Sequence, residues 1–324
     1  MENTAQLAKK KERNDQVKIY MAKLARYTWS LIRLVLVFGI CFIILQPLFT
    51  KFAVSLMSEP DLYDATVQFV PRGLNVQNYL VAFQEMDYFG TFLRTFGLSA
   101  LVSILQLISC TLVGYGFARF KFPFKNTMFV LVILCLLVPP QVLMLPLFLQ
   151  FRFFDVFGIY ELLTGNAGIN LMDTFWPFIL TSLLTQGYKN GLYIFLMRQF
   201  FKGLPVELEE AAYIDGCSAI KTFYKIMIPS AVPMLVTVFL FSFVWQWTDS
   251  FYTGLYLNNY TVMSNALSSL ASSVMSDQLT FVSPALVSMM NNTGTILVVL
   301  PLFIIYLLAQ RYFVESIERS GIVG

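Results

Sequence analysis

Stretches without Asp, Glu, Lys or Arg recur along this chain, and a helix of about 20 apolar residues spans the hydrocarbon core of a bilayer. The first such stretch covers residues 34–50, and Arg33 and Lys51 at its ends can extend their stems to the interface. Others follow at 95–118 and 126–151. A fourth begins near Thr174 and ends at Met197, interrupted by Lys189, and a fifth covers 226–248. A sixth falls in the later part of the uncharged stretch 278–310. The pattern predicts an all-α polytopic membrane protein with six transmembrane helices. Pro47, Pro139, Pro140, Pro146, Pro177, Pro233 and Pro301 fall within these runs, and each leaves a carbonyl without its usual donor. Lipid cannot supply one, so such kinks face other helices or a wet cavity.

Basic residues set the expected orientation, because short cytoplasmic loops are enriched in Lys and Arg. The N-terminal tail carries Lys9, Lys10, Lys11, Arg13, Lys18, Lys23 and Arg26, and the turn after the second run carries Arg119, Lys121 and Lys125. Arg198, Lys202, Lys221 and Lys225 follow the fourth run, and Arg311 and Arg319 the sixth. With six crossings all four segments share one side, so both termini are expected in the cytoplasm. The expected organisation is a basic tail over 1–30, a first transmembrane helix over 31–57, an extracytoplasmic loop over 58–88, a transmembrane core over 89–313 and a cytoplasmic tail over 314–324. A basic N-terminus before an apolar run also fits a signal peptide, but the run is long and no Ala-x-Ala site follows it.

Composition narrows the function. Hydrophobic residues make up 57% of the chain and charged residues 13%, against about 25% charge in soluble domains. The chain has no histidine, which removes Ser-His-Asp and Cys-His catalysis and the commonest zinc ligand. Of the four cysteines, Cys41, Cys110 and Cys135 sit in apolar runs, and with Cys217 they form no metal-ligand or disulfide spacing. No catalytic or metal-binding residue is nominated. A Gly-x-x-x-x-Gly-Lys-Ser/Thr loop is also absent, so the chain does not hold nucleotide in that way.

One polar segment, 203–229, stands between the fourth and fifth runs and reads as helix, stop, helix. Pro205 suits a first helical position, and Glu207, Glu209 and Glu210 favour the positive end of a helix dipole. Gly216 can take the left-handed conformation that ends a helix, Ser218 can cap the next, and Pro229 opens the fifth run. Small Ala211 and Ala212 give the first helix a shape that can enter a groove on a partner.

Here the chain resembles a known family. Glu210-Ala211-Ala212, Gly216, and Ile226-x-Ile228-Pro229 match the EAA motif of ABC importer permeases, with Ile228 where Leu is usual. The run from Glu207 through Asp215-Gly216 looks like the carbohydrate, maltose-transporter-type branch. Phe195-Leu-Met-Arg-Gln-Phe-Phe201, Trp247-Thr-Asp-Ser-Phe251 and the tail from Gln310 agree with that branch. The resemblance implies that 203–229 is a coupling helix on a cytoplasmic ATPase dimer, with Glu207, Glu210, Ala211, Ala212, Asp215, Gly216 and Pro229 as its contact and shape-setting residues. It further implies a second homologous permease subunit, an extracytoplasmic solute-binding protein, a bacterial inner-membrane location and a sugar as solute. ATP and Mg would be bound by the ATPase, with no cofactor in this chain, and no nucleic-acid partner is implied.

The solute path has weaker signals. Polar groups within apolar helices are costly and often functional. Candidates are Gln186, Tyr188 and Asn190 on the fourth run and Gln246, Trp247, Thr248 and Asp249 on the fifth. Trp245, Trp247 and Tyr252 serve equally as an interfacial belt, with Asp249 in water. Lys189 lies about 13 Å along a helix axis from Arg198, a distance that snorkelling covers only in part, which leaves a side chain that snorkels from lipid, lines a wet cavity or meets a carboxylate on a partner subunit. The implied loop toward the binding protein is 251–277, with Asn258-Asn259-Tyr260. An ion-coupled secondary transporter is the alternative, but it leaves 203–229 without a purpose.

Overall fold

A computed structural model describes residues 2–156, 158–278 and 283–321, in two compact units. Among the described residues the regular structure is all helical, apart from one isolated bridge between Phe154 and Ile169, with turns and loops between the helices.

The first unit, Met1–Asn75, is built on α1 (Glu2–Ser55). The basic tail and the first apolar run therefore form one helix, which starts well before residue 31. Its Lys23–Ser55 portion is long and apolar enough to cross a membrane, and Pro47 lies inside it without a break. The segment after it is tied down by two carboxylates. Asp61 accepts from the Ser58 amide at 3.1 Å and hydroxyl at 2.9 Å. Asp64 accepts from the Thr66 amide and hydroxyl and from the Arg72 guanidinium. The Thr66 bonds, helped by the Arg72 charge, hold the Asp64 carboxyl below its ordinary value.

The second unit, Val76–Gly324, opens with α2 (Gln77–Glu85) and α3 (Tyr88–Arg119). Then come α4 (Lys125–Cys135), α5 (Met144–Arg152), α6 (Trp176–Leu183) and α7 (Asn190–Gly203). The polar segment holds α8 (Glu207–Ile214) and α9 (Ala219–Thr222), followed by α10 (Val232–Trp247), α11 (Met263–Gln278) and α12 (Pro284–Gly321).

Unbroken α3 is the centre of this unit and packs on α6, α7 and α10. Its buried stripe is built largely of small and polar residues, Thr91, Thr95, Ser99, Ser103, Gln106 and Ser109 among them. Small residues let membrane helices approach closely, and hydrogen bonds between them replace the hydrophobic drive that lipid removes. Around its C-terminal half Cys110, Tyr193, Met197, Phe201, Met227 and Val238 are fully buried together.

The other runs depart from straight spans in ways that follow their prolines and glycines. The third is bent by 97° between Lys125–Cys135 and Pro140–Arg152, where Pro139, Pro140 and Pro146 cluster. In the expected fourth helix, α6 and α7 are separated by Leu184–Lys189, and Thr185 (φ 58°) and Lys189 (φ 64°) are left-handed. The fifth is bent by 76° between Ala219–Ser230 and Val232–Trp247. Pro229 thus belongs to the segment before the bend, and Pro233 opens the long helix. Among the described residues, three helices and two bent pairs are long and apolar enough to cross a membrane, whereas the fourth run consists of two short pieces.

The expected loop 251–277 is mostly helical. A short helix at Phe251–Tyr256 precedes α11, which packs on α12 and carries buried Ala266, Leu270 and Val274 at helical spacing. Asp173 fastens the turn between them. Its carboxylate accepts from the amides of Asn258 at 2.5 Å and Asn259 at 3.0 Å, and from the Asn259 side chain at 3.0 Å.

Candidate functional site

Two features of the second unit carry chemistry: the arm formed by α8 and α9, and a cavity where the third and fourth runs break. In the arm, α8 stops in a Schellman motif. The Cys217 amide donates to the Ala212 carbonyl at 2.9 Å and the Gly216 amide to that of Tyr213 at 3.0 Å. Gly216 has φ +78°, which a residue with a Cβ adopts only at a cost, although the space beside it is open. Ser218 then caps α9, accepting from the Lys221 amide. Pro205 stands ahead of α8 rather than at its first position, because the helix begins at Glu207 after Val206.

The arm has two faces. Glu207, Glu210, Ala211, Asp215 and Gly216 point away from the protein, and with them apolar Tyr213 and Ile214, the latter 86% exposed. Ala212 faces inward at 3% exposure, so its small size serves close packing within this chain and not a partner's groove. Beside it Glu209 is buried, a residue that the pattern of first-turn acids did not separate from its neighbours. Its Oε1 lies 3.3 Å from Arg119 Nε and accepts from the Tyr115 hydroxyl at 3.0 Å. Arg119 also donates to the Leu204 carbonyl at 2.8 Å. An ion pair, a phenol and a carbonyl thus fasten the arm to the end of α3.

The cavity has a volume of about 450 Å³. Residues of the third-run bend, such as Cys135, Pro140 and Pro146, line one side, and Gln186, Tyr188, Lys189 and Asn190 of the fourth-run break line the other. A small neighbouring pocket of about 20 Å³ adds Gln106 and Gln246. Side chains of α3 bond to carbonyls at the break, and a serine of α10 holds one of them in place. Gln106 Nε2 donates to the Tyr188 carbonyl at 3.2 Å, and the Ser242 hydroxyl to Gln106 Oε1 at 2.5 Å. The Ser109 hydroxyl donates to the Ser182 carbonyl at 2.7 Å. A Cβ on Gly187 would stand 2.6 Å from Gln106 Nε2, so a larger residue there would push that side chain aside.

The path candidates therefore divide. Gln186, Tyr188 and Asn190 line the cavity, and Gln246 lines the small pocket. Trp247, Thr248 and Asp249 do not. Trp247 is fully buried, packs against Phe92 and Phe243, and donates its indole N–H to the Val298 carbonyl at 3.1 Å. Nor is it an interfacial ring. The Thr248 hydroxyl bonds back to Val244. Asp249 caps the following short helix through the amides of Tyr252 and Thr253. It is buried rather than in water, and that burial pushes its carboxyl upward against those hydrogen bonds. Gln106 was missed from the sequence although it is the one side-chain amide of α3. The signal was there: Ser99, Ser103, Gln106 and Ser109 recur at helical spacing inside an apolar run.

A helical membrane unit with paired helix breaks around a cavity and a short arm projecting from its end defines a polytopic transport component. Residues 110–319 match the binding-protein-dependent transport system inner membrane component family, and the chain belongs to it. Among curated relatives, the arabinooligosaccharides transport system permease protein AraQ of Halalkalibacterium halodurans is 26% identical over 88% of this chain and 93% of its own. A probable ABC transporter permease protein of Pyrococcus horikoshii is 30% identical over 78% of this chain and 82% of its own. The sn-glycerol-3-phosphate transport system permease protein UgpE of Yersinia pestis is 25% identical over 89% and 95%. The fold is shared with a chain of a bacterial ABC transporter involved in import of the acidic polysaccharide alginate, at a TM-score of 0.66, 18% identity and coverage of 88% and 96%.

Proposed function

We propose that this subunit forms half of the translocation path of a sugar-importing ABC transporter. A second, homologous permease subunit supplies the other half, and an extracytoplasmic binding protein delivers the solute. The chain carries no cofactor. ATP and Mg sit on a cytoplasmic ATPase dimer that docks on α8, and both termini lie on that same side, as the basic segments indicate. Sugar as the solute class is supported by relatives named for arabinooligosaccharides and glycerol phosphate.

The carrying observation is the arm: a rigid helix stopped by Gly216, presenting Ile214, Tyr213 and Glu210 outward while Glu209 holds its back. Exposed apolar side chains on a fixed element suit a groove on a partner protein. Ile214→Asp is expected to leave membrane insertion intact, because the apolar runs are untouched, and to release the ATPase from purified complexes. Gly216→Val should do the same and Gly216→Asn much less, since Asn tolerates the left-handed conformation. Normal ATPase co-purification and solute-stimulated hydrolysis with Ile214→Asp and Gly216→Val would remove the basis of this reading.

A further inference from the structure

The cavity at the two breaks carries a single full charge. Lys189 Nζ stands 4.9 Å from the ring centroid of Trp245 and 5.0 Å from that of Tyr188. Among the described residues no carboxylate lies within ion-pair distance of it, and none lines the cavity. Its neighbour Asn190 is 1% exposed, and neither atom of its side-chain amide makes a hydrogen bond. The two residues also form the N-terminal end of α7, a helix of 14 residues, where the backbone dipole is positive. A charge inside an apolar run is costly unless it faces water or a counter-charge. Ammonium and helix end therefore both favour a negative group in this cavity, and the unpartnered amide beside them can bond a polar neighbour of that group. Tyr188 and Tyr252 beside them line the cavity too, and aromatic side chains are common in sites for small molecules.

We propose that this cavity accepts sugars or polyols that carry an acidic group, a carboxylate or a phosphate ester, and that Lys189 is the residue selecting for that charge. The proposal rests on the importer reading above and narrows its solute class. The ammonium would meet the anion, the Asn190 and Gln186 amides the neighbouring hydroxyls, and the tyrosines the ring.

Cys135 lines the same cavity and supplies a reporter that needs no transport. With Cys41→Ser and Cys217→Ser in place, and Cys110 left in the core where it is fully buried, the purified importer complex is treated with anionic and cationic methanethiosulfonates of matched size. Relative to their rates with free cysteine, the anionic reagent should modify Cys135 on the order of tenfold faster, as expected of a cleft that concentrates counter-ions. Lys189→Gln should abolish that bias and Lys189→Arg should keep it. A uronate disaccharide or glucose 6-phosphate should slow the labelling, the effective one identifying carboxylate or phosphate, and maltose should not. Equal rates in the native and Lys189→Gln complexes would overturn the proposal. So would protection by maltose alone, or by neither acid. Loss of the second permease subunit from Lys189→Gln with an unchanged bias would instead assign the lysine to a carboxylate of that subunit. ATPase co-purification is read separately, so failure here leaves the importer reading standing.

Discussion

A few side chains decide how this membrane unit holds together, and Glu209 is the clearest. It is one of three acids in the first turn of α8, and composition gives no reason to prefer it to Glu207 or Glu210. Only the fold shows that it turns inward to Arg119 and Tyr115, with the Glu209 and Arg119 side chains 8% and 10% exposed. Removing one member of a buried ion pair leaves the other uncompensated, typically at roughly 3–5 kcal/mol, whereas replacing both with apolar groups is often neutral. Glu209→Leu is therefore expected to lower the denaturation midpoint in mixed micelles markedly. Glu209→Leu with Arg119→Met should recover most of that loss. A double variant as unstable as the sum of the singles would show that the two residues act independently. Trp247 teaches the converse. A tryptophan near polar residues at the end of a run reads as a ligand or a belt residue, yet its indole bonds to Val298 and its ring lies in the core.

The helices themselves were legible where a long charge-free run coincided with an uninterrupted backbone. Residues 95–118 fall within α3, and the later part of 278–310 within α12. Where the sequence carries the pair Pro139-Pro140 or the closely spaced Gly187 and Gly191, run length alone could not give the shape. Pro139-Pro140 produced a bend, but Pro47 and Pro301 sit inside continuous helices, so the residue type announces a possible break without fixing it. The fourth run breaks at Leu184–Lys189 because α3 supplies substitute hydrogen bonds there, a long-range fact absent from the local pattern. The stop at Gly216 was readable, since a Schellman motif is local chemistry. Helix α11 was not, because its serine-rich sequence resembles a loop until Ala266, Leu270 and Val274 find α12. The turn ahead of α11 depends on Asp173, whose φ of 59° and bonds to Asn258 and Asn259 make it a fastener. Asp173→Ala should speed amide hydrogen exchange across 257–262 by about tenfold, in line with losing on the order of 1.4 kcal/mol. Exchange in α3 should stay unchanged. An equal rise in both would mean that the substitution loosens the whole unit.

At the scale of the whole chain, the arm and the cavity belong to different parts of the sequence yet share α3. Tyr115 and Arg119, at one end of that helix, hold Glu209, while Gln106 and Ser109, farther along it, hold the break in the fourth run. Gln106 and Arg119 are separated by about 20 Å along an ideal axis. An α-helix resists stretching far more than bending, so two attachments on one continuous helix behave as two loads on a push-rod. A displacement applied at one load reaches the other without a second moving part, and under the proposed docking of the ATPase on α8 no further hinge is needed between nucleotide and solute. The weakness of such a linkage is a joint placed in the shaft. Leu112 lies between the two attachments and is 49% exposed, so a proline there removes a helix bond while disturbing little of the core. Leu112→Pro should act as a clutch. The assembled importer would go on hydrolysing ATP, with Glu209 still fastened and the cavity still lined, while uptake per ATP falls by an order of magnitude or more. Undiminished uptake by that variant would mean that force runs around α3, through some other member of the frame.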